Sequence, residues 1–266
     1  MSGFVTALKA YGQHFLTDKM VLNEIIDLIK RNYTDEKLVE IGPGTGALTN
    51  LLVKEFDSVT CVEVDKRCID FLKTNLQPTY PNLEIIDADF LKLNTDEFLN
   101  SSTAIVGNFP YNISSQIVFK VLDNYKKIPF MVGMFQKEMA ERIASKHGSK
   151  EYGVISVFAQ LFYDVQLEFN IPPTAFAPPP KVMSSIISMR RKENIQLDFD
   201  FKLFRNIVKS GFNQRRKMLR NGLSGIASKE LLQQEIFTKR AEQLSVSDFI
   251  ALTKLIEKNL HSKPTN

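Results

Sequence analysis

Gly107-Asn108-Phe109-Pro110-Tyr111 follows an apolar run, Thr103-Ala104-Ile105-Val106, that reads as a buried strand, so these five residues hang at a strand's end. An exocyclic amine on a nucleobase is a poor nucleophile, because its lone pair is delocalised into the ring. A site that alkylates such a nitrogen holds both amino hydrogens with acceptors. The side-chain oxygen of Asn108 can take one hydrogen. The carbonyl of Pro110, a residue with no N–H, is the best-placed acceptor for the other. Tyr111 supplies a ring on which the base can stack, worth ~1–3 kcal/mol, while Phe109 packs against the strand end. Asn and Pro also mark an ordinary turn after a strand, so the surrounding elements must decide.

A second constellation lies upstream. Lys37-Leu38-Val39-Glu40-Ile41 reads as a short strand, Gly42-Pro43-Gly44-Thr45-Gly46 as a turn, and Ala47 to Phe56 as a helix, the opening of a nucleotide-binding α/β unit. Glycines let the backbone approach a ligand, and a helix N-terminus presents free N–H groups. The next strand, Val59 to Val64, carries Glu63 about twenty residues after the first glycine, where a carboxylate accepts from both ribose hydroxyls. Gly42, Gly44 and Ala47 satisfy the dinucleotide pattern too, so the loop alone leaves NAD open. A third strand, Leu83 to Ile86, leads to Asp89 and Phe90. Asp89 there is either an acceptor for an adenine amino group, with Phe90 covering the ring, or a turn former.

The elements that position these residues alternate. Thr17-Asp18 starts a helix whose apolar positions, Val21 to Ile29, recur at helical period. Ile113 to Leu122 forms the helix behind the Asn108 strand, and Phe130 to Phe135 is a nearly all-apolar fifth strand. A helix from Gln136 past Arg142, a polar loop from Lys146 to Glu151, an apolar helix from Val154 to Phe162 and a strand from Val165 to Ile171 follow. Pro172 to Lys181 is proline-rich and stiff, sits between two strands, and mounts Phe176 where its ring could face Tyr111 across a flipped base. Val182 to Met189 closes the set as a last strand.

At 266 residues and 44% apolar content, the chain can bury one sizeable core and has room for a smaller second unit. No apolar run is long enough to cross a membrane, and the N-terminus lacks a basic stretch followed by an apolar one, so a cytosolic protein is expected. Cys61 and Cys68 suit reduced thiols, and the three histidines are too scattered for metal-ligand spacing. The net charge of +4 conceals an asymmetry: residues 201–266 carry thirteen Lys and Arg against five Asp and Glu. That is the footprint expected of a surface touching a polyanion, although a solvated helical surface gives a milder version of it. Arg215, Arg216, Lys217 and Arg220 are its densest part, and a helix through them would put Arg216 and Arg220 on one face. The polar run Arg190 to Asn194 marks the domain boundary, separating residues 1–195 from an all-helical 196–266.

Six motifs in order, Tyr11-Gly12-Gln13-His14-Phe15-Leu16, Glu40 to Gly46, Gly107 to Asn112, Gln136-Lys137-Glu138, Pro172 to Val182 and Phe212 to Lys217, resemble the small-subunit ribosomal RNA adenine dimethyltransferase family, known in bacteria as KsgA or RsmA. The resemblance covers nearly the whole chain. It implies an α/β class I methyltransferase (Rossmann-like) sheet with a small all-α C-terminal domain, S-adenosylmethionine as donor, and cofactor contacts at His14, Leu16, Gly42, Glu63, Asp89 and Asn108, with Gly44 in the same loop. The family often has Asn where His14 stands and commonly Leu at Phe109. The implied substrate is a pair of adjacent adenosines near the 3′ end of small-subunit ribosomal RNA within a pre-ribosomal particle, met by a monomer. Alternatives are a DNA adenine methyltransferase, a large-subunit RNA dimethyltransferase, and an assembly factor acting mainly by binding.

Overall fold

The computed structural model describes residues 5–8, 12–34 and 37–261. Tyr11 of the first motif and residues 1–4, on which the expectation for the N-terminus rests, lie outside them. A two-residue strand, β1 (Phe15–Leu16), precedes α1 (Lys19–Asn32). Asp18 caps that helix, its carboxylate accepting the N–H groups of Met20 and Val21 at 2.9 and 3.3 Å. Leu22, Ile25, Ile26 and Ile29 bury one face, as the helical spacing predicts.

Five strands rich in β-branched and apolar residues run parallel: β2 (Lys37–Ile41), β3 (Ser58–Glu63), β4 (Leu83–Asp87), β5 (Thr103–Asn108) and β6 (Phe130–Gln136). Helices α2 (Thr49–Glu55), α3 (Lys66–Asn75) and α4 (Ser114–Asp123) alternate with them. After α5 (Lys137–Ala144) and α6 (Val154–Phe162) come β7 (Tyr163–Ile171), β8 (Phe176–Ala177) and β9 (Ser184–Arg191). The sheet order is β4-β3-β2-β5-β6-β9-β7, with β9 antiparallel to both neighbours. Separately, β1 pairs antiparallel with β8, which local sequence did not announce.

Phe109 explains two glycines that face each other on neighbouring strands. Its ring is 1% exposed and meets Phe135 edge-on at 5.2 Å. A Cβ on Gly107 would come 2.8 Å from that ring, and one on Gly133, the register partner of Gly107 in β6, only 2.4 Å.

The chain clusters into two compact units, Met1–Ala140 with Tyr163–Arg191, and Glu141–Phe162 with Lys192–Asn266. Residues 141–162, which fall before the expected boundary at 195, thus group with the C-terminal helices. Packing is the reason: Phe158 and Phe162 of α6 make edge contacts with Phe201 and Phe204 of α7 (Phe201–Asn213), at centroid distances of 5.9 to 6.4 Å. α8 (Leu219–Gly222) and α9 (Val246–His261) complete the regular helices described in this unit.

Gly133→Ala drives a methyl group into the Phe109 and Phe135 rings and lowers stability by about 1–3 kcal/mol. Urea unfolding measures that loss, and pairing the substitution with Phe109→Leu recovers part of it.

Candidate active site

The polypeptide changes direction where β2 lies between β3 and β5, and ligands bind outside the carboxyl ends of strands at such a switch point. Register places Glu40 of β2 beside Val106 of β5, so the glycine loop and the Asn108 segment leave the sheet side by side. Gly42, Gly44 and Gly46 have φ of 68°, 57° and 78°. That left-handed backbone is open to glycine at little cost. At Gly44 a side chain is excluded twice over, since a Cβ would also lie 2.8 Å from the Phe15 ring.

One cavity at this point is lined by His14, Leu16, Gly42, Gly44, Glu63, Asn108, Pro110 and Tyr111, so eight of the ten residues expected to act in catalysis or cofactor binding converge. Glu63 ends β3 and is nearly buried; its Oε1 accepts the N–H of Val64 at 2.8 Å and of Asp65 at 2.9 Å, and Oε2 that of Gly44 at 3.2 Å. Burial pushes its carboxyl up, and these three backbone donors pull it back. A carboxylate has about four acceptor positions, which leaves one on Oε2 for a ligand hydroxyl. Asn108 donates Nδ2–H to the backbone carbonyl of His14 at 2.8 Å. Because a carbonyl only accepts, this bond sets the amide's orientation and leaves Oδ1 as its acceptor end. The Pro110 carbonyl takes the Ile113 N–H at 3.1 Å, which uses one of its two lone pairs.

Tyr111 is half-buried. Its hydroxyl lies 2.6 Å from Ser184 Oγ, and its ring stacks on His14 at 5.7 Å with planes 26° apart. His14 Nδ1 contacts the Pro178 carbonyl at 2.8 Å, which makes Nδ1 the protonated nitrogen.

Asp89 lies just beyond β4, its Oδ1 accepting the Leu91 N–H at 2.9 Å and its Oδ2 facing Lys92 at 3.6 Å, contacts that shape the turn and leave the carboxylate further acceptor positions. Two expectations are corrected by the geometry. Phe176 is 4% exposed and belongs to the hydrophobic core; its pairing with Leu16 across the β8–β1 ladder turns it inward, and it does not line the cavity. In the helical unit, α7 stops at Asn213 and α8 starts at Leu219, so Arg216 and Arg220 do not share one helix. Arg215 is spent internally: its guanidinium donates to the carbonyls of Lys150 and, at 2.9 Å, Tyr152, and faces Glu242 at 3.7 Å. Arg216, Lys217 and Arg220 are exposed.

Two contributors escaped the sequence. Gln13, within a quoted motif but given no role, lines the cavity and donates to Asp65 at 3.0 Å. Arg67 holds that Asp65 carboxyl down at about 2. Glu40 also lines the cavity, is 2% exposed, and accepts from Thr49 Oγ1 at 2.6 Å and Cys61 Sγ at 3.6 Å. Burial pushes its carboxyl up to about 7. Cys61 and Cys68 are both buried free thiols.

A sheet of this order, with a glycine loop after β2, an acid ending β3 and an Asn-Phe-Pro-Tyr turn after β5, defines a class I methyltransferase that uses S-adenosylmethionine. The residues present fit that cofactor: a glycine backbone open to close approach on one side and a buried acceptor for ribose on the other. The sequence profile of the family "Ribosomal RNA adenine dimethylase" matches residues 5–258, and the chain belongs to that family. Proteins described as "Ribosomal RNA small subunit methyltransferase A" are similar throughout: that of Flavobacterium johnsoniae is 48% identical over 257 residues, 95% of this chain and 97% of its own. That of Cytophaga hutchinsonii is 45% identical over 256 residues, 95% and 98% respectively. Among solved structures, a dimethyladenosine transferase from Plasmodium falciparum superposes with a TM-score of 0.80 at 27% identity, covering 92% of this chain and 98% of its own. The 23S rRNA methyltransferase ErmE shares the fold, with a TM-score of 0.69 at 23% identity over 90% of this chain and 99% of its own. Membership of this family removes the NAD alternative.

Glu40 generates a signed pH prediction. Unfolded, its carboxyl titrates near 4.5; folded, near 7. The folded state therefore binds the proton more tightly, and Glu40's contribution to stability is full below about 4.5 and is lost as pH rises through 7. Relative to the wild type, Glu40→Gln gains up to roughly 3 kcal/mol between pH 4.5 and 8, read from urea unfolding of both proteins across that range.

Proposed function

We propose that this chain transfers methyl groups from S-adenosylmethionine to N6 of two adjacent adenosines in the 3′-terminal hairpin of small-subunit ribosomal RNA, giving N6,N6-dimethyladenosine. The observation that carries the mechanism is the Asn108 amide, locked by the His14 carbonyl with its oxygen as acceptor. The adenine leaves its stack, at a cost of a few kcal/mol, and lies on Tyr111. Asn108 Oδ1 and the remaining lone pair of the Pro110 carbonyl each hold one amino hydrogen. With both hydrogens held, the nitrogen lone pair is turned out of conjugation toward the methyl donor. The cofactor, when bound, supplies a methyl group already activated on a sulfonium. The protein therefore contributes positioning more than proton transfer. Glu63 holds the ribose, and the Gly42–Gly44 backbone lies against the rest of the cofactor.

The RNA is engaged through Arg216, Lys217 and Arg220, the exposed members of the cluster that gives residues 201–266 their basic surplus. The particle recognised is a pre-ribosomal small subunit, in the cytoplasm; no described helix is long and apolar enough to cross a membrane. A monomer suffices, because one chain supplies both the cofactor loop and the amine-holding residues of one cavity.

Incubation with labelled S-adenosylmethionine and undermethylated small subunits, followed by nucleoside analysis, is expected to yield dimethyladenosine at two adjacent positions; label on large-subunit RNA or duplex DNA instead would refute the assignment. Asn108→Ala is expected to abolish transfer while cofactor binding persists at least in part, and transfer near the wild-type rate would remove Asn108 from its role. Replacing Arg216, Lys217 and Arg220 together with Ala is expected to lower the salt slope of RNA binding by about 2–3, at roughly 0.7–0.9 per phosphate contact.

A further inference from the structure

Both aromatic rings of the Asn108 turn border the cavity, but Phe109 is 1% exposed and packed edge-on against Phe135, whereas Tyr111 is half-buried and has ring surface to offer a base. A ring that stacks a base must hold its plane. The χ2 torsion of tyrosine is broad, so a plane is kept only by what grips the ring. Two groups grip it here: His14 lies over it at 5.7 Å, and Ser184 meets its hydroxyl at 2.6 Å.

Ser184 is built as an anchor. It is fully buried and is the first residue of β9, where register sets it between Gln136 at the end of β6 and Ile171 at the end of β7. The residue before it is pinned as well, the Lys137 N–H donating to the Met183 carbonyl at 3.0 Å. Its hydroxyl therefore reaches Tyr111 from a backbone fixed on both sides. A serine placed only to fill β9 would not need its oxygen directed at a phenol 73 residues away.

We infer that Ser184 is a positioning residue of the methyl-transfer site, holding the Tyr111 ring in the plane on which the substrate base stacks. The inference rests on the proposed function and deepens it. Ser184 touches neither cofactor nor base; it acts through Tyr111. Burial raises the Tyr111 phenol and the Ser184 hydrogen bond lowers it, so the tether also leaves a spectroscopic mark.

The test compares wild type, Ser184→Ala, Ser184→Thr, Tyr111→Phe and the Ser184→Ala/Tyr111→Phe double variant on undermethylated small subunits. Ser184→Ala is expected to lower kcat/KM for the RNA substrate roughly 5- to 10-fold, the effect of freeing one ordered side chain, while leaving the Kd for S-adenosylmethionine and Tm unchanged. Ser184→Thr restores the hydroxyl and the rate, and the double variant is no worse than the poorer single one. An unaffected Ser184→Ala enzyme, additive losses in the double variant, or parallel losses of cofactor affinity and Tm would each overturn the inference. If the wild type itself moves no methyl group to these subunits, the proposed function falls. The tether is then decided separately by the 13Cζ resonance of Tyr111, identified by its loss in Tyr111→Phe: a shift in Ser184→Ala upholds it and an unmoved resonance sinks it.

Discussion

The hydrogen bond from the Asn108 amide to the His14 carbonyl is the constraint on which the site depends. A side-chain amide is a donor at one end and an acceptor at the other, so holding one end dictates what the other presents. The bond also joins parts of the chain 94 residues apart, and its acceptor must itself be fixed. That is what β1 and β8 accomplish: their short antiparallel ladder, continued by the Thr17 and Asp18 N–H groups donating to the Ala175 carbonyl, holds the segment carrying His14. The two-residue strands thus matter more to the chemistry than their length suggests.

On the cofactor side, the same economy recurs. Glu63 organises the loop it faces, binding the N–H of Gly44 while keeping an acceptor for a ligand, and Glu40 ties β2 to Thr49 of α2 and Cys61 of β3 from beneath. Neither needs to move a proton. The reaction class explains why: with an electrophile already activated on the cofactor, the barrier is lowered chiefly by setting the amine in line. Rigidity across the neighbouring strands β5 and β6, enforced by Phe109 wedged against Gly107 and Gly133, is the physical property that such a site requires.

In the helical unit, charge and packing divide the basic cluster. Arg215 is drawn onto the carbonyls of Lys150 and Tyr152, where it anchors the loop before α6, whereas its neighbours Arg216 and Lys217 remain exposed. Adjacent arginines with the same local composition therefore have different employment. What separates them is the direction in which the chain leaves α7, since the helix ends at Asn213 and the Gln214 carbonyl accepts the Lys217 N–H at 2.7 Å.

Periodicity alone marks β2 at Lys37–Ile41 and α6 at Val154–Phe162 with the bounds they have in the structure, because alternation and helical spacing are local properties of the chain. The glycine loop, the acid ending β3 and the turn after β5 are equally readable, since each rests on residue types suited to one backbone conformation or one donor set. Four matters were left to the tertiary structure: where Phe176 buries its ring, that α6 packs on α7, that Arg215 is an internal clamp, and that Ser184 reaches Tyr111. Each depends on which distant surface an element meets. An apolar stripe or a hydroxyl reports what it could satisfy, and only the folded chain, bringing together groups 73 or 94 residues apart, selects the partner.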